Sequence, residues 1–265
     1  MNDSSARGVI PAAEAQLLRF LDRTGGIAQL GKSSIAAVLR RGVAPGAFLA
    51  QVEEIGIASL SVTALTAAFS SMVMAVQFAV QMDRFGAKEW VGSVVSLSLV
   101  RELGPVLTAL MVGGRVGAGI AAELGSMQVT EQIDALRSMG GDPLRELVLP
   151  RVLAAVATLP LLTAIADALG VAGAGVVIHL SYRINVTYFF NAMLRSVEMS
   201  DMAGGLVKTL FFGLSIGLIA CHEGFTATGG TEGVGRATTR AVVVSSIVTL
   251  ISDFVLTELL LVFGL

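Results

Sequence analysis

Four charged residues lie in or beside long apolar stretches of this sequence, and the two cations among them suit the binding of an anionic group. Arg101 and Glu102 stand about 11 residues, or roughly 15 Å of helix, into one apolar segment. Neighbouring helix positions do not face one another, so each of these two side chains needs its own partner or a wet cavity. Asp201 precedes another apolar segment and Lys208 lies at its start. Lys208 therefore has two candidate partners, Glu102 or an anionic ligand.

Charges inside a membrane span are costly and usually mark a functional pathway. Arg101 and Lys208 together would suit a phosphate headgroup, whose oxygens accept hydrogen bonds from guanidinium and ammonium groups. The alternative for Arg101 and Glu102 is a structural ion pair within a helix bundle. Further embedded charges are Arg115, Glu123 and Asp167. The first two of these lie nearer the end of their segment, and we expect them to be structural.

The composition is that of an integral membrane protein. The chain has 265 residues, of which 54% are hydrophobic and 14% charged, and its mean hydropathy is +0.78. Soluble domains carry about 25% charged residues, so this chain has too little charge to cover a soluble surface. The net charge of -2 does not indicate nucleic-acid binding. A single cysteine, Cys221, excludes an internal disulfide framework. The first 30 residues contain acidic residues and no apolar core typical of a signal peptide, so we expect the internal segments to direct membrane insertion.

Five apolar segments are long enough to span a bilayer, which needs about 20 residues of helix. They cover residues 55–82, 90–124, 147–178, 204–220 and 241–264. The second and third exceed the required length, so they must tilt, project or kink, with Pro105 and Pro160 as the expected kink positions. The first segment is rich in Ser, Thr and Ala, and it fits either a full span or a re-entrant hairpin. The sequence thus predicts an all-α integral membrane protein with about five transmembrane helices.

Residues 1–50 form a separate region before the membrane domain of residues 51–265. Apolar residues such as Leu17, Leu18 and Leu21 repeat at helical spacing between Arg and Lys residues, which favours helices lying in the membrane interface. A soluble helical hairpin is the alternative. Residues 26–33 match the phosphate-binding pattern G-x-x-x-x-G-K-[ST], but a nucleotide site also needs a preceding buried strand within an α/β domain. We therefore interpret this stretch as a break between two interfacial helices, with Lys32 facing lipid headgroups.

The charges of the loops predict the orientation of the chain. With the N-terminus in the cytoplasm, 11 Lys and Arg residues lie inside and 4 outside. The outside residues are Arg84, Lys88, Arg183 and Arg195. The sequence therefore predicts a cytoplasmic N-terminus and a periplasmic C-terminus.

Residues 130–141 have the signals of a short helix on a cytoplasmic loop. Thr130 is the predicted N-cap, acidic residues follow in the first turn, and Gly140 and Gly141 end the helix. Its narrow apolar stripe consists of Ile133, Leu136 and Met139. Such a helix docks into a groove of a soluble protein or, alternatively, lies in the interface and covers the bundle.

Other patterns in the chain indicate packing rather than chemistry. The pairs Gly113/Gly117 and Gly213/Gly217 permit close approach of helices, and we expect this approach to be within the chain. Cys221, His222 and Glu223 are adjacent, which is poor spacing for a metal site. Since no catalytic arrangement stands out either, we expect neither a metal site nor catalysis by this chain.

Two long motifs give the sequence a specific resemblance. RELGPVLTALMVGGRVGAGIAAELGSMQVTEQIDALRSMGGDP, followed by LVLPR, resembles the signature of the MlaE family of ABC-transporter permeases. GFTATGGTEGVGRATTRAVV resembles the second signature of that family. Both motifs occur in the family's order and spacing, and the resemblance covers about residues 50 to 265.

The resemblance implies a permease subunit that moves phospholipid between inner and outer membranes and so maintains outer-membrane lipid asymmetry. Family members are multi-pass proteins of the bacterial inner membrane and act as homodimers with a cytoplasmic ABC ATPase, a periplasmic MCE-domain protein and often a STAS-domain subunit. ATP is used by the ATPase, and no cofactor is expected on this chain. The N-terminal region matches the family's elbow helix.

The same resemblance implies roles for two sets of residues. The lipid cavity, at the dimer interface, would be lined by Arg101, Glu102, Lys208 and Asp201. The coupling helix that receives the ATPase stroke would contain Glu131, Ile133, Asp134, Leu136, Arg137 and Met139. Two other functions stay open at this point: a gradient-driven secondary transporter or channel with Glu102 as its ion site, and a structural membrane scaffold for an MCE-type partner.

Overall fold

A computed structural model of the chain describes residues 24–34, 36–37 and 43–262, and this part consists of helices joined by short connections, without a β-strand. Five helices in it are long and apolar enough to cross a membrane: α1 (Pro45–Arg84), α2 (Lys88–Val129), α4 (Leu144–Tyr182), α6 (Met199–Phe225) and α7 (Gly230–Val262). Two shorter helices connect them: α3 (Gln132–Ser138) and α5 (Val186–Ser196). The predicted all-α integral membrane protein with five candidate spans is confirmed.

The first span is one unbroken helix, so the re-entrant hairpin is wrong. α1 has 40 residues, about 60 Å of helix, which exceeds the thickness of a bilayer. Its buried positions recur every four residues from Ile55 to Ala79, and they include Ser59, Thr63 and Ser71. The small polar residues that favoured a hairpin instead form the stripe along which α1 packs against α4.

α2 is continuous but irregular. It contains π-helical turns at Leu99–Leu103 and Gly113–Gly117, and the first of these comes directly before Gly104 and Pro105. α4 begins with a further π-helical turn at Leu144–Val148 and continues in α-helical form through Pro160. Turns of this kind usually occur at functional sites or where a helix is distorted. A sharp kink at either proline stays a prediction.

α6 is the most buried span, and its glycines explain why. A Cβ atom on Gly213 would lie 2.7 Å from the carbonyl oxygen of Ala155, and one on Gly217 would lie 3.0 Å from the Cα atom of Val152. The backbones of α6 and α4 are therefore in close contact, and Phe212 is fully buried between neighbouring spans. The expectation that these glycines serve packing within the chain is confirmed.

The N-terminal part that the structure describes corrects one interpretation. Residues 24–34 are helical, so residues 26–33 are neither a phosphate-binding loop nor a break between helices. Ile27 and Leu30 pack on the core near Leu218 and Cys221, and Gly26 lies against His222. Leu17, Leu18, Leu21 and most of the other predicted interfacial residues fall outside the described ranges. The predicted domain boundary at residue 50 lies inside α1, and the division into two regions stays a prediction.

The connections of the bundle fall at two ends. Residues 24–34, α3 and the C-terminal end of α6 meet around a cavity of about 430 Å³, lined by Gly26, Arg137 and His222 among others. At the opposite end, α5 lies against the start of α2, where the Tyr188 hydroxyl is 3.5 Å from Glu89. The loops predicted to be cytoplasmic thus share one end. Which side of the membrane that end faces stays a prediction.

Candidate functional site

Lys208 is the centre of a charged cluster that joins three spans. Its Nζ atom donates hydrogen bonds to Glu102 Oε2 at 2.7 Å, to Thr257 Oγ1 at 2.7 Å and to the carbonyl oxygen of Arg101 at 3.1 Å. Asp253 Oδ1 lies 3.4 Å from the same nitrogen. An ammonium group has three N–H donors, so these three acceptors use all of them. The side chain of Lys208 is only 3% exposed, and the cluster ties α2 to α6 and α7.

The contact between Lys208 and the backbone of α2 follows from the sequence of α2. Pro105 has no N–H, so it cannot donate to the carbonyl oxygen of Arg101 four residues earlier, as a helical residue normally does. The ammonium group of Lys208 donates to that oxygen instead. Gly205 makes the approach possible, because a Cβ at this position would lie 2.4 Å from the carbonyl oxygen of Val100. Pro105 and Gly205 thus shape a binding position for the buried cation.

Arg101 belongs to the same region but faces a different partner. Its Nη1 atom lies 3.2 Å from Asp201 Oδ1. The other carboxylate oxygen of Asp201 accepts a hydrogen bond from the backbone N–H of Glu198, which makes a capping box at the start of α6. Asp201 and Lys208 are seven residues apart and therefore share one face of α6. The structure brings together all four residues predicted for this site.

Two members of the cluster were missed by the sequence reasoning. Asp253 and Thr257 lie on the same face of α7, and Thr257 is within 3.3 Å of both carboxylate oxygens of Glu102. A signal was present, because Asp253 is an acidic residue within the last apolar segment. Thr257 carries no such signal, since a threonine in a span is most often a packing residue.

The cluster contains two cations and three carboxylates, so its formal charge is -1. Both cations contact carboxylates, and an anion would have to displace one of them. The cavity among these side chains measures only about 10 Å³, room for about one water molecule. Glu102 is nevertheless 38% exposed, because the described residues leave this face of the bundle uncovered. The cations of the cluster are therefore occupied by carboxylates, although the cluster lies at an exposed face of the bundle.

The embedded charges expected to be structural lie toward the other end of the bundle. Arg151 is almost fully buried, with Nη2 2.6 Å from Glu123 Oε1 and Nη1 donating to the carbonyl oxygen of Leu147 at 2.7 Å. Arg115 is exposed and donates to Ser59 at 3.3 Å. A further pair joins α6 to α7, with Arg240 3.3 Å from the buried Glu223. Among the residues that the structure describes, no group of three potential ligands is arranged for a metal ion.

The predicted short helix is present as α3, with a different start. Thr130 does not cap it: its hydroxyl donates to the carbonyl oxygen of Ser126 at 2.7 Å and so belongs to the end of α2. The residue before α3 is Glu131, which has a left-handed backbone conformation (φ 60°) and no capping hydrogen bond from its side chain. The prediction of Thr130 as N-cap is therefore wrong. The sharp turn at Glu131 redirects the chain from α2 into α3.

The end of α3 agrees with the prediction. The N–H of Gly140 donates to the carbonyl oxygen of Arg137, and the N–H of Gly141 to that of Leu136, each at 3.0 Å. With Gly140 at φ 79°, this is the Schellman arrangement that ends helices at glycine.

The predicted apolar stripe of α3 is divided between inside and outside. Ile133 is fully buried, whereas Met139 is 80% exposed. Asp134 and Arg137 form an exposed ion pair at 2.9 Å. Ile133 thus anchors α3 to the bundle, while Asp134, Arg137 and Met139 face outward.

Comparison with known proteins identifies the family. The sequence matches the family described as Permease MlaE over residues 48–259. A probable ABC transporter permease protein of Rickettsia typhi is 43% identical over 243 residues, which cover 92% of this chain and 94% of the relative. The intermembrane phospholipid transport system permease protein MlaE of Haemophilus influenzae is 38% identical over 212 residues, 79% of this chain and 81% of the relative.

A plastid relative extends the match beyond bacteria. The chloroplastic protein TRIGALACTOSYLDIACYLGLYCEROL 1 of Arabidopsis thaliana is 40% identical over 210 residues, which cover 79% of this chain and 60% of the relative. The matched residues 48–259 contain the whole charged cluster and α3. This five-span chain therefore belongs to the MlaE family of ABC-transporter permeases.

Proposed function

We propose that this chain moves phospholipid between the inner and outer membranes of a bacterium and thereby maintains outer-membrane lipid asymmetry. In this proposal two copies form a homodimer, with the N-terminus cytoplasmic and the C-terminus periplasmic. A cytoplasmic ATPase hydrolyses ATP, and a periplasmic MCE-domain protein and a STAS-domain subunit complete the assembly. The phospholipid named for the Haemophilus relative supports the choice of substrate.

One observation carries the proposal: α2 links the two functional regions. It bears Arg101 and Glu102 in the charged cluster, and it leads through the turn at Glu131 directly into α3. The distance along the helix from Glu102 to Val129 is about 40 Å, which is the thickness of a bilayer with its interfaces. A displacement of α3 by the ATPase would thus reach the cluster through one helix.

The charged cluster would act as a latch on the lipid path. In the closed arrangement Lys208 holds α2, α6 and α7 together through Glu102, Thr257 and Asp253. Separation of these spans frees Arg101 and Lys208 to bind a lipid phosphate, while the carboxylates provide the repulsion that releases it. Because the cluster lies at an open face, a second copy of the chain against that face would enclose the cavity for the lipid.

The test is lipid transport by the reconstituted complex with Glu102→Gln. This change keeps the size of the side chain but removes the charge that Lys208 pairs with. We expect lipid transfer to an acceptor to fall about tenfold, the effect of about 1.4 kcal/mol, with the ATPase still bound. Glu232→Gln is the matched control, because Glu232 forms an exposed pair with Arg236 away from the cluster, and this variant should transport normally.

Three outcomes separate the candidate functions. Loss of transport in Glu102→Gln with intact assembly supports the permease and removes the scaffold. Unchanged transport in Glu102→Gln and in Arg101→Gln shows that the cluster is only structural. Transport by the chain without its ATPase, driven by an ion gradient, supports the secondary transporter instead.

A further inference from the structure

A second cavity lies apart from the charged cluster, on the other side of the contact between α2 and α6. It measures about 320 Å³ and lies between α2, α4, α5 and α6. Each of the four helices contributes to its lining, through Val100, Ala168, Phe190 and Leu206 among others. The lining is apolar except for one residue, Asp167. A volume of this size with one polar group in an apolar lining is typical of small-molecule sites.

Asp167 has an unusual environment for a carboxylate. Its Oδ1 atom is buried and has no hydrogen-bond partner among the described residues. No Lys, Arg or His of the described chain forms an ion pair with it, whereas five other acidic residues inside the spans have such partners: Glu102, Glu123, Asp201, Glu223 and Asp253. An acidic side chain at membrane depth needs a partner, and its presence indicates a functional site.

The packing of α2 accommodates this carboxyl group. A Cβ atom on Gly104 would lie 1.7 Å from Asp167 Oδ1, so only glycine leaves room for the carboxyl group beside the π-helical turn. The packing thus accepts the acidic side chain without giving it a donor. Oδ1 itself is closed off by this packing, but Asp167 as a whole is half-buried and lines the cavity, so a ligand in the cavity can donate to the other carboxyl oxygen.

The cavity opens sideways along the apolar surface of the bundle. Ala164 and Ala168 line it on α4, and Leu161, one turn away on the same face, is 64% exposed. On α6, Met202 and Leu206 line it, and Leu210 continues the exposed row. Exposed apolar rows at this depth face acyl chains in a membrane. The cavity is therefore the upper part of a groove between α4 and α6.

The groove lies in the half of the bundle that α5 covers. α6 has 27 residues and is about 40 Å long, the thickness of a bilayer with its interfaces. Met202 and Leu206 lie within roughly 10 Å of its start, while Asp167 lies about 22 Å before the end of the longer α4. Phe190 and Met193 of α5 cover it from above. A headgroup at the cavity and an acyl chain along Leu161 and Leu210 would fit this geometry.

We propose that the groove between α4 and α6 holds one phospholipid of the adjacent leaflet whose headgroup carries a primary ammonium. Its acyl chain lies between the two helices, and its ammonium group donates hydrogen bonds to Asp167. A quaternary ammonium headgroup lacks N–H donors, and an anionic headgroup is repelled by the carboxylate. The proposal rests on the membrane placement of the chain and is independent of transport through the charged cluster.

The test uses the full chain in nanodiscs with a photoactivatable diazirine in one acyl chain of the lipid. Ethanolamine, choline and glycerol phospholipids with identical acyl chains are compared, and crosslinked residues are identified by mass spectrometry. We expect the ethanolamine lipid to label α4 and α6 at the groove, with a yield roughly three- to tenfold above that of the choline lipid. Asp167→Asn should reduce the ethanolamine yield to the choline level.

A second variant keeps the test independent of the carboxyl group. Ala168→Phe fills the groove and should remove the labelling for all three lipids, whereas Ala203→Phe, on the exposed side of α6 outside the groove, should not. Glu102→Gln should leave the labelling unchanged even where transport is lost. Equal labelling by the three lipids in the native chain, or labelling that Ala168→Phe does not reduce, would overturn the proposal.

Discussion

Lys208 shows how hydrogen-bond acceptors and counter-charges stabilise a cation inside a membrane span. Each of its three N–H donors has an acceptor, and two carboxylates balance its charge. One acceptor is the carbonyl oxygen of Arg101, to which Pro105 cannot donate because it has no N–H. The usual cost of a proline in a helix is thus offset by a contact that also selects where α6 meets α2.

The first prediction concerns the removal of this cation. Lys208→Met leaves the largely buried Asp253 and the partly exposed Glu102 without their counter-charge, so we expect the free energy of unfolding to fall by about 2–4 kcal/mol, less than for a fully buried pair. Reversible unfolding of the purified chain in mixed micelles measures this. The matched control is Lys88→Met, because Lys88 pairs with Asp83 at 2.8 Å in a half-exposed position and should change stability by less than about 1 kcal/mol. Equal effects of the two substitutions would contradict a buried latch.

The sequence predicted the partners of Lys208 only in part. Glu102 was a candidate because an embedded charge needs an opposite charge or a wet cavity, whereas the ion pair between Arg101 and Asp201 was not predicted. The contact with the Arg101 carbonyl could not be predicted, since it depends on how closely Gly205 lets α6 approach α2. Asp253 was predictable in principle, because an acidic residue in an apolar span requires an explanation.

At the level of helices, glycine determines which spans come together. Gly213 and Gly217 place the backbone of α6 against that of α4. Gly113 and Gly117, in the second π-helical turn of α2, lie beside Ile216 of α6. In lipid, association of helices depends on such close packing rather than on burial of apolar surface from water. α6 is therefore held on several sides, while α7 keeps a large exposed apolar face.

The second prediction tests this packing. Gly213→Ala places a methyl group 2.7 Å from the carbonyl oxygen of Ala155 and 2.9 Å from the Cα atom of Val156, and neither backbone atom can move without shifting α4. We expect a loss of about 1–3 kcal/mol in the free energy of unfolding. Gly235→Ala is the control, since a Cβ there meets no atom within 4 Å and alanine favours the helix by up to about 1 kcal/mol. The same unfolding measurement compares them, and a Gly213→Ala variant as stable as Gly235→Ala would refute the close contact.

Helix existence was predictable, whereas several helix ends were not. Hydropathy found all five spans because each must cover a bilayer. The start of α3 was missed because the Thr130 hydroxyl can either accept from a following backbone N–H as an N-cap or donate to a carbonyl oxygen one turn earlier, and here it donates to Ser126. The end of α3 was found because Gly140 has a conformation that other residues rarely adopt.

In the whole molecule, two polar regions lie far apart along the same bundle of spans. The charged cluster lies where α2, α6 and α7 meet, and α3 projects from the opposite end of α2. The chain orientation decides which region meets a cytoplasmic partner. The positive charges of the loops favour α3 on the cytoplasmic side. The connection of α3 to the cluster through α2 is the same in either orientation.

The third prediction tests that orientation and the coupling surface together. Met139, directly after α3, and Met199 at the start of α6 are 80% and 81% exposed, and they lie at opposite ends of the bundle. Because Met139 is the exposed part of the apolar stripe, we expect Met139→Glu to abolish co-purification of the ATPase, while Met199→Glu leaves it intact. Circular dichroism of both variants checks that each is folded. Loss of the ATPase in Met199→Glu alone would mean that the orientation is inverted, and retention in both would mean that α3 does not contact the ATPase through Met139.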